Sequence, residues 1–338
     1  MAVKNIVICA DGTWNRPEEE QEDVPTNVLR LARAIRPFTA DGVAQHVFYD
    51  WGIGSYYNRV RGGITGLGIH KNIMDSYRYI VQNYTPGSRI FLFGFSRGAY
   101  TVRSVCGLIN NCGILKRPDA RLIQKAFRHY KRKGEDYRPA GEASLTFRKQ
   151  YSHPSREVHF VGAWDTVGAL GVPFSVLGLF NSDDEFYDTK LGDNVRVARH
   201  AMAIDERRED FEPTLWPPRN GLDLRQVWFA GSHGDVGGGY AAGRDEPLAS
   251  DVPLKWMLDE SAGAGLGIEA HLPGSIRLSS TAQLHNSRRL VYRVKRPYER
   301  PLDPPGIATE IHASVLSRRR KDGRYRPANL ERRLGKSA

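Results

Sequence analysis

Short apolar runs at residues 3–10, 45–49, 90–94, 157–163 and 225–230 punctuate the chain. They show little alternation, the pattern of strands buried on both faces. Between them the apolar period changes to that of helices. After Thr26 or Asn27 as N-cap, Val28, Leu29, Leu31, Ala32 and Ile35 form one apolar face. Ile69, Ile73, Tyr77, Ile80, Val81 and Tyr84 form another, which Pro86-Gly87 ends. Residues 98–112, 118–133 and 253–261 read as further helices, and so does 193–204 through Val195, Val197, Ala198, Ala201 and Met202. Residues 56–68 read as a Gly- and Arg-rich loop, and 134–154 as a surface excursion with few apolar side chains. A late strand or β-ribbon is expected at 289–294.

Strand, polar Gly-containing loop and helix recur along the chain, which is the grammar of a mostly parallel, doubly wound α/β sheet. No repeat or linker divides it, so one domain is expected over 1–315, followed by a basic tail at 316–338. The 338 residues are 40% hydrophobic and 26% charged, ordinary for a globular protein able to bury a sizeable core. No stretch has the length of a membrane-spanning helix, and the N-terminus reads as a strand rather than a signal peptide. Cys9, Cys106 and Cys112 have no metal-ligand spacing and read as reduced thiols, so a cytoplasmic location is expected, with signal-less export compatible. A net charge of +11 concentrates in 116–138 and in the tail. No nucleic-acid module accompanies it, so nucleic acid is not the expected partner; a solvated basic face is, with peripheral attraction to anionic lipid as the second reading.

The chemistry begins at Gly94-Phe95-Ser96-Arg97-Gly98, a G-x-S-x-G sequence between an expected strand and an expected helix. That context belongs to a nucleophile elbow, whereas the five letters alone also occur in ordinary βα turns. A serine nucleophile needs a base and an acid to orient it. Asp165 and His233 follow Ser96 in the order Ser, acid, His, each just past an expected strand. An N-capping role for Asp165 and a structural role for His233 are the plain alternatives; His312 is the rival base and Asp235 the rival acid. The first amides of the helix after Ser96, that of Arg97 among them, would point to where an oxyanion forms. The interrupted apolar stretch 170–180, with Leu170, Val172, Phe174 and Leu177, reads as core or as an acyl-chain groove. Neither a cofactor nor a metal is expected for this chemistry. Two other readings remain: a metal-dependent phosphoesterase using Asp11, Asp50, Asp165 and Asp235, and a non-catalytic binding module.

Five motifs, taken together, resemble a known family. They are Asp11-Gly12-Thr13-Trp14-Asn15, the Gly94–Ala99 elbow, Trp164-Asp165-Thr166-Val167-Gly168, the His233–Tyr240 segment with its three consecutive glycines, and Ile311-His312-Ala313-Ser314-Val315. In this order they are similar to the α/β-hydrolase family that includes type VI secretion phospholipase effectors. The resemblance implies an α/β-hydrolase fold and a serine esterase, lipase or phospholipase activity on carboxylic esters. It also implies Ser96, Asp165 and His233 at the triad positions and residues 11–13 at the oxyanion loop.

Overall fold

Seven parallel strands form one sheet in the order β2-β1-β3-β4-β5-β6-β7. In chain order they are β1 (Lys4–Ala10), β2 (Ala44–Asp50), β3 (Arg89–Phe95), β4 (Val158–Trp164), β5 (Val195–Ala203), β6 (Asp223–Phe229) and β7 (Glu310–Ile311). Ten helices accompany them among the described residues: α1 (Asn27–Ala34), α2 (Gly66–Asn83), α3 (Arg97–Cys112), α4 (Ala120–Tyr130), α5 (Glu142–Tyr151), α6 (His233–Gly237), α7 (Asp251–Gly263), α8 (His271–Ser275), α9 (Ala313–Lys321) and α10 (Ala328–Gly335). This computed structural model describes residues 2–12, 24–52, 66–167, 191–241, 246–288, 292 and 296–335.

The apolar runs lack alternation because helices cover both faces of the sheet. Ile6, Ile8, Ile90 and Leu92 pack under α2 and α3, with Tyr77 and Val102. Val7, Cys9, Phe91 and Phe93 face the other way, against Val28 of α1 and Met257 of α7. Between β1 and β3 the order of the strands reverses, since β2 lies on one side of β1 and every later strand on the other. At such a switch point two neighbouring loops leave in opposite directions and open a crevice beyond the carboxyl ends of the strands. Ala10 pairs with Gly94 there, so the residues after them, Asp11-Gly12 and Phe95-Ser96, flank that crevice.

Three expectations change. Residues 193–204, read as helix, contain β5, which pairs with β4 on one side and β6 on the other. Ala, Met and Arg favour helix intrinsically, but an interior strand gains two ladders of hydrogen bonds and near-complete burial from Ala198 to Ala203. Within 134–154 lies α5, hidden from periodicity because only Ser144 and Phe147 of it are buried. The stretch past 315, expected as a tail, holds most of α9 and all of α10. Val315, Tyr325 and Leu330 form a third apolar cluster there with Met202, Ile204, Trp228 and Leu302. The strand expected at 289–294 falls outside the described residues apart from Tyr292, and the loop read at 56–68 does so as far as residue 65.

Leu330 has no exposed surface, so truncating it to Ala leaves a cavity beneath α10. Leu330→Ala should lower stability by about 2–5 kcal/mol. Guanidinium unfolding followed by tryptophan fluorescence measures it; an unchanged midpoint would mean α10 does not pack on the sheet.

Candidate active site

Ser96 sits at the tip between β3 and α3 with φ 56° and ψ −120°. Among the described residues only Ser96 and Asp165 are non-glycine residues with positive φ. Each such conformation costs about 1–3 kcal/mol and is kept only where the surroundings impose it. At Ser96 the surroundings are two close approaches. A Cβ at Gly94 would lie 2.5 Å from the Gly98 carbonyl, and one at Gly98 would lie 2.0 Å from the Ala10 carbonyl. Glycine at both positions lets α3 start directly against β1 and β3. The Ser96 amide donates to the Trp164 carbonyl at 3.1 Å, which ties the turn to the end of β4.

Asp165 is fully buried at the end of β4, with φ 42°. Its Oδ2 meets Nδ1 of His233 at 2.6 Å, and its Oδ1 accepts the Ala203 amide at 3.0 Å. Arg300, also fully buried, grips both oxygens, Nη1 to Oδ1 at 2.6 Å and Nη2 to Oδ2 at 3.0 Å. Burial pushes the Asp165 carboxyl up, but the Arg300 charge and the His233 hydrogen bond outweigh it and hold the group well below the usual carboxylate range. With the carboxylate ionised, Nδ1 of His233 carries the proton and Nε2 is left as the acceptor.

His233 opens α6 directly after β6. Its ring lies 4.6 Å, centroid to centroid, from the ring of Phe95, the residue preceding Ser96. Gly237 permits this approach, because a Cβ there would stand 2.0 Å from Phe95. Phe211 meets the imidazole edge-on at 5.1 Å, and the His233 amide donates to buried Glu206 at 3.2 Å. Burial raises Glu206, but the hydrogen bond and charge of Arg208 prevail and bring it to about 2.

The rivals are engaged elsewhere. His312 caps α9, its Nδ1 accepting the Ser314 amide at 3.2 Å, and its ring stacks on Phe229. Asp235 pairs with Nδ1 of His285 at 2.7 Å and accepts the Ser232 amide at 2.9 Å. His285, which has no strand end nearby to draw attention to it, therefore belongs to a second acid–imidazole pair, with Tyr240 stacked on it at 4.3 Å. The four aspartates considered as metal ligands do not converge: no group of three or more ligating side chains occurs among the described residues. On the oxyanion side, Arg97 opens α3, so its amide belongs to the first helical turn. The Gly12 amide donates instead to Oδ1 of Asp11 at 2.8 Å. Thr13, Leu170, Val172, Phe174 and Leu177 lie outside the described residues. Arg300 was not visible in the sequence: its partner lies 135 residues away and nothing local marks it.

Asp50, at the end of β2, supports the Asp11-Gly12 turn by accepting the Asp11 amide on its carbonyl at 2.8 Å. Among the described residues its Oδ2 has no hydrogen-bond partner, and burial raises its carboxyl to about 6. A group raised on folding contributes stability below its unfolded value of 3.8 and loses it as pH climbs through about 6. Asp50→Asn should therefore gain stability relative to wild type between pH 5 and pH 8. Urea titrations at each pH measure this; a constant difference across that range would show that Asp50 is not raised.

Comparison with known proteins fits this arrangement. A family model described as "T6SS, Phospholipase effector Tle1-like, catalytic domain" matches residues 4–260, from β1 into α7. The chain is 27% identical over 241 residues to the uncharacterized protein YEL023C of Saccharomyces cerevisiae, covering 64% of this chain and 33% of the yeast protein. A crystal structure of an uncharacterized protein from Pseudomonas aeruginosa superposes with a TM-score of 0.51 at 16% identity, over 82% of this chain and 49% of that one. At that identity the likeness speaks of fold alone. The chain thus spans about a third of the yeast protein's length and about half of the Pseudomonas chain's. By this match over residues 4–260, this chain belongs to the Tle1-like type VI secretion phospholipase effector catalytic-domain family.

Proposed function

We propose that this chain hydrolyses carboxylic esters of lipids, phospholipids first among them, through a Ser96–His233–Asp165 triad and an acyl-enzyme. The observation that carries the reading is the 2.6 Å Asp165–His233 hydrogen bond, whose imidazole lies against the residue preceding the strained Ser96. Membership of a phospholipase family supports the lipid ester as substrate. Nε2 of His233 accepts the Ser96 hydroxyl proton as Oγ attacks the ester carbonyl. The imidazolium, stabilised by Asp165, then returns that proton to the leaving alkoxide as the acyl C–O bond breaks. Water repeats the sequence on the acyl-serine and releases the fatty acid. One oxyanion donor is the Arg97 amide, worth about 3 kcal/mol. Gly12 becomes the second only when its amide leaves Oδ1 of Asp11, so substrate binding re-forms that loop.

The strong depression of Asp165 keeps the acid ionised throughout the range in which an imidazole base is neutral. On p-nitrophenyl esters and on phospholipid vesicles, Ser96→Ala should lose turnover by at least about 10⁴-fold, as removal of a triad nucleophile does. A fluorophosphonate should label wild type and not Ser96→Ala, with or without EDTA. Turnover that survives in Ser96→Ala, or that EDTA removes, would sink the proposal.

A further inference from the structure

Arg300 is among the largest fully buried side chains in the protein and carries a permanent charge. Besides gripping both oxygens of Asp165, it donates through Nη1 to the Ala203 carbonyl at 2.8 Å and through Nη2 to the Phe211 carbonyl. Asn329 of α10 donates to the Arg300 carbonyl at 3.2 Å and to that of Ile204 at 3.1 Å, so the segment carrying Arg300 is fixed to the end of β5. Arg300 and Asn329 both lie beyond residue 260, where the family match ends.

Satisfying Asp165 does not require an arginine. The His233 ring and the Ala203 amide already donate to it. An added buried cation is costly unless its geometry is good; here both Nη groups are bonded to the carboxylate, while Nε has no partner among the described residues. Its effects on the imidazole are two. It fixes the plane of the carboxylate, so that Oδ2 stays aimed at Nδ1. It also stands a fixed positive charge two hydrogen bonds from the imidazole, where an imidazolium must form. Asp165 and His233 share one 2.6 Å hydrogen bond, so a charge placed on the acid is felt at the imidazole. A fixed cation there opposes a second positive charge on the ring, and its removal lifts that opposition.

We propose that Arg300 is a positioning residue of the Asp165–His233 pair that keeps Nε2 of the imidazole free, and the base competent, to lower pH. The inference rests on the triad reading above. The other groups facing the pair are few. Glu206 lies beside the His233 amide and is neutralised by Arg208, whose Nη2 it accepts at 2.8 Å. His200, buried under Trp216, accepts the Thr166 amide at Nε2 and is driven by burial to about 3, so it stays neutral. Phe95 and Phe211 offer only ring faces and edges. Among these, Arg300 is the cation bonded directly to the acid.

Two full-length variants separate charge from geometry. Arg300→Gln keeps a hydrogen-bond donor without the charge; Arg300→Lys keeps the charge without the fork. For p-nitrophenyl ester hydrolysis, the acid limb of the kcat/KM profile should move up by about one pH unit or more in Arg300→Gln. In Arg300→Lys the limb should stay near the wild-type position while the plateau falls about tenfold or more through lost positioning. Fluorophosphonate labelling should follow the same limbs, and far-UV circular dichroism checks that both variants fold. Identical limbs in Arg300→Gln and wild type would overturn the proposal, whatever the plateau does. So would a limb raised as far in Arg300→Lys as in Arg300→Gln. Failure of the triad reading shows separately, as labelling that Ser96→Ala retains.

Discussion

A carboxylate with no access to water has to be matched by donors and counter-charge wherever the chain can supply them, since its uncompensated burial would cost several kcal/mol. Asp165 is in that position, and meeting its demand joins four stretches far apart in sequence. The Ala203 amide comes from the end of β5, the imidazole of His233 from the start of α6, the guanidinium from Arg300, and the backbone of Asp165 itself from the end of β4. The Asp165 amide donates to Ala201 at 2.8 Å, so even the turn that carries the acid is paired to the neighbouring strand. Arg300 is held in turn by Ala203, Phe211 and Asn329. The carboxyl edge of β4, β5 and β6 and the C-terminal segment are therefore one electrostatic unit.

The other half of the site is set by close packing instead of charge. Ser96 is strained because α3 begins where β1 and β3 leave no room for a Cβ at residues 94 and 98. That contact exists because β1 and β3 are neighbours at the switch point of the sheet. The two halves meet through apolar rings: Phe95 belongs to the strand that presents the serine, and it bears on the imidazole that the acid orients. Gly237 is the counterpart of Gly94 and Gly98 on the histidine side, since it allows α6 to settle on Phe95. Gly94, Gly98 and Gly237 thus have one cause, a close approach that a Cβ would block.

This explains what was legible beforehand. Strands covered on both faces leave apolar runs, tight turns leave glycines, and the residues after strand ends are easily found, so the α/β architecture and the place of Ser96, Asp165 and His233 just past strand ends could be read directly. Long-range electrostatics leaves no comparable trace. Arg300 resembles any arginine beside a proline, because its reason for being there lies in the turn after β4. His285 has no strand end nearby to recommend it either, its partner Asp235 being 50 residues away. β5 was misread because its demand for extended backbone comes from β4 and β6 and not from its own alanines and methionine. In α9 and α10 the basic residues dominate the composition, and only Val315 and Leu330 reveal that these helices have an inside.

Folding the C-terminal stretch also redistributes the meaning of the net charge. Arg319, Arg332 and Arg333 pair with Glu331, Glu299 and Asp303, and Arg318 turns inward to the carbonyls of Ser280 and Ala282. On α4, Arg121, Lys125 and Arg128 are exposed, and no acid occupies the first turn. Paired charges produce a field that falls off faster than that of single ones, and salt screens both beyond about 8 Å. Arg121, Lys125 and Arg128 thus face solvent together on α4. Yet α4 lies along the distal half of α3, with Tyr130 beside Gly107 and the Cys112 thiol on the Ala126 carbonyl. Gly107 is about 15 Å along α3 from the end that carries Ser96, at 1.5 Å per residue. An anionic surface drawn to α4 by charge alone would meet the protein away from the crevice between β1 and β3. Orienting Ser96 toward such a surface therefore requires short-range contacts near the crevice itself, which the net charge does not provide.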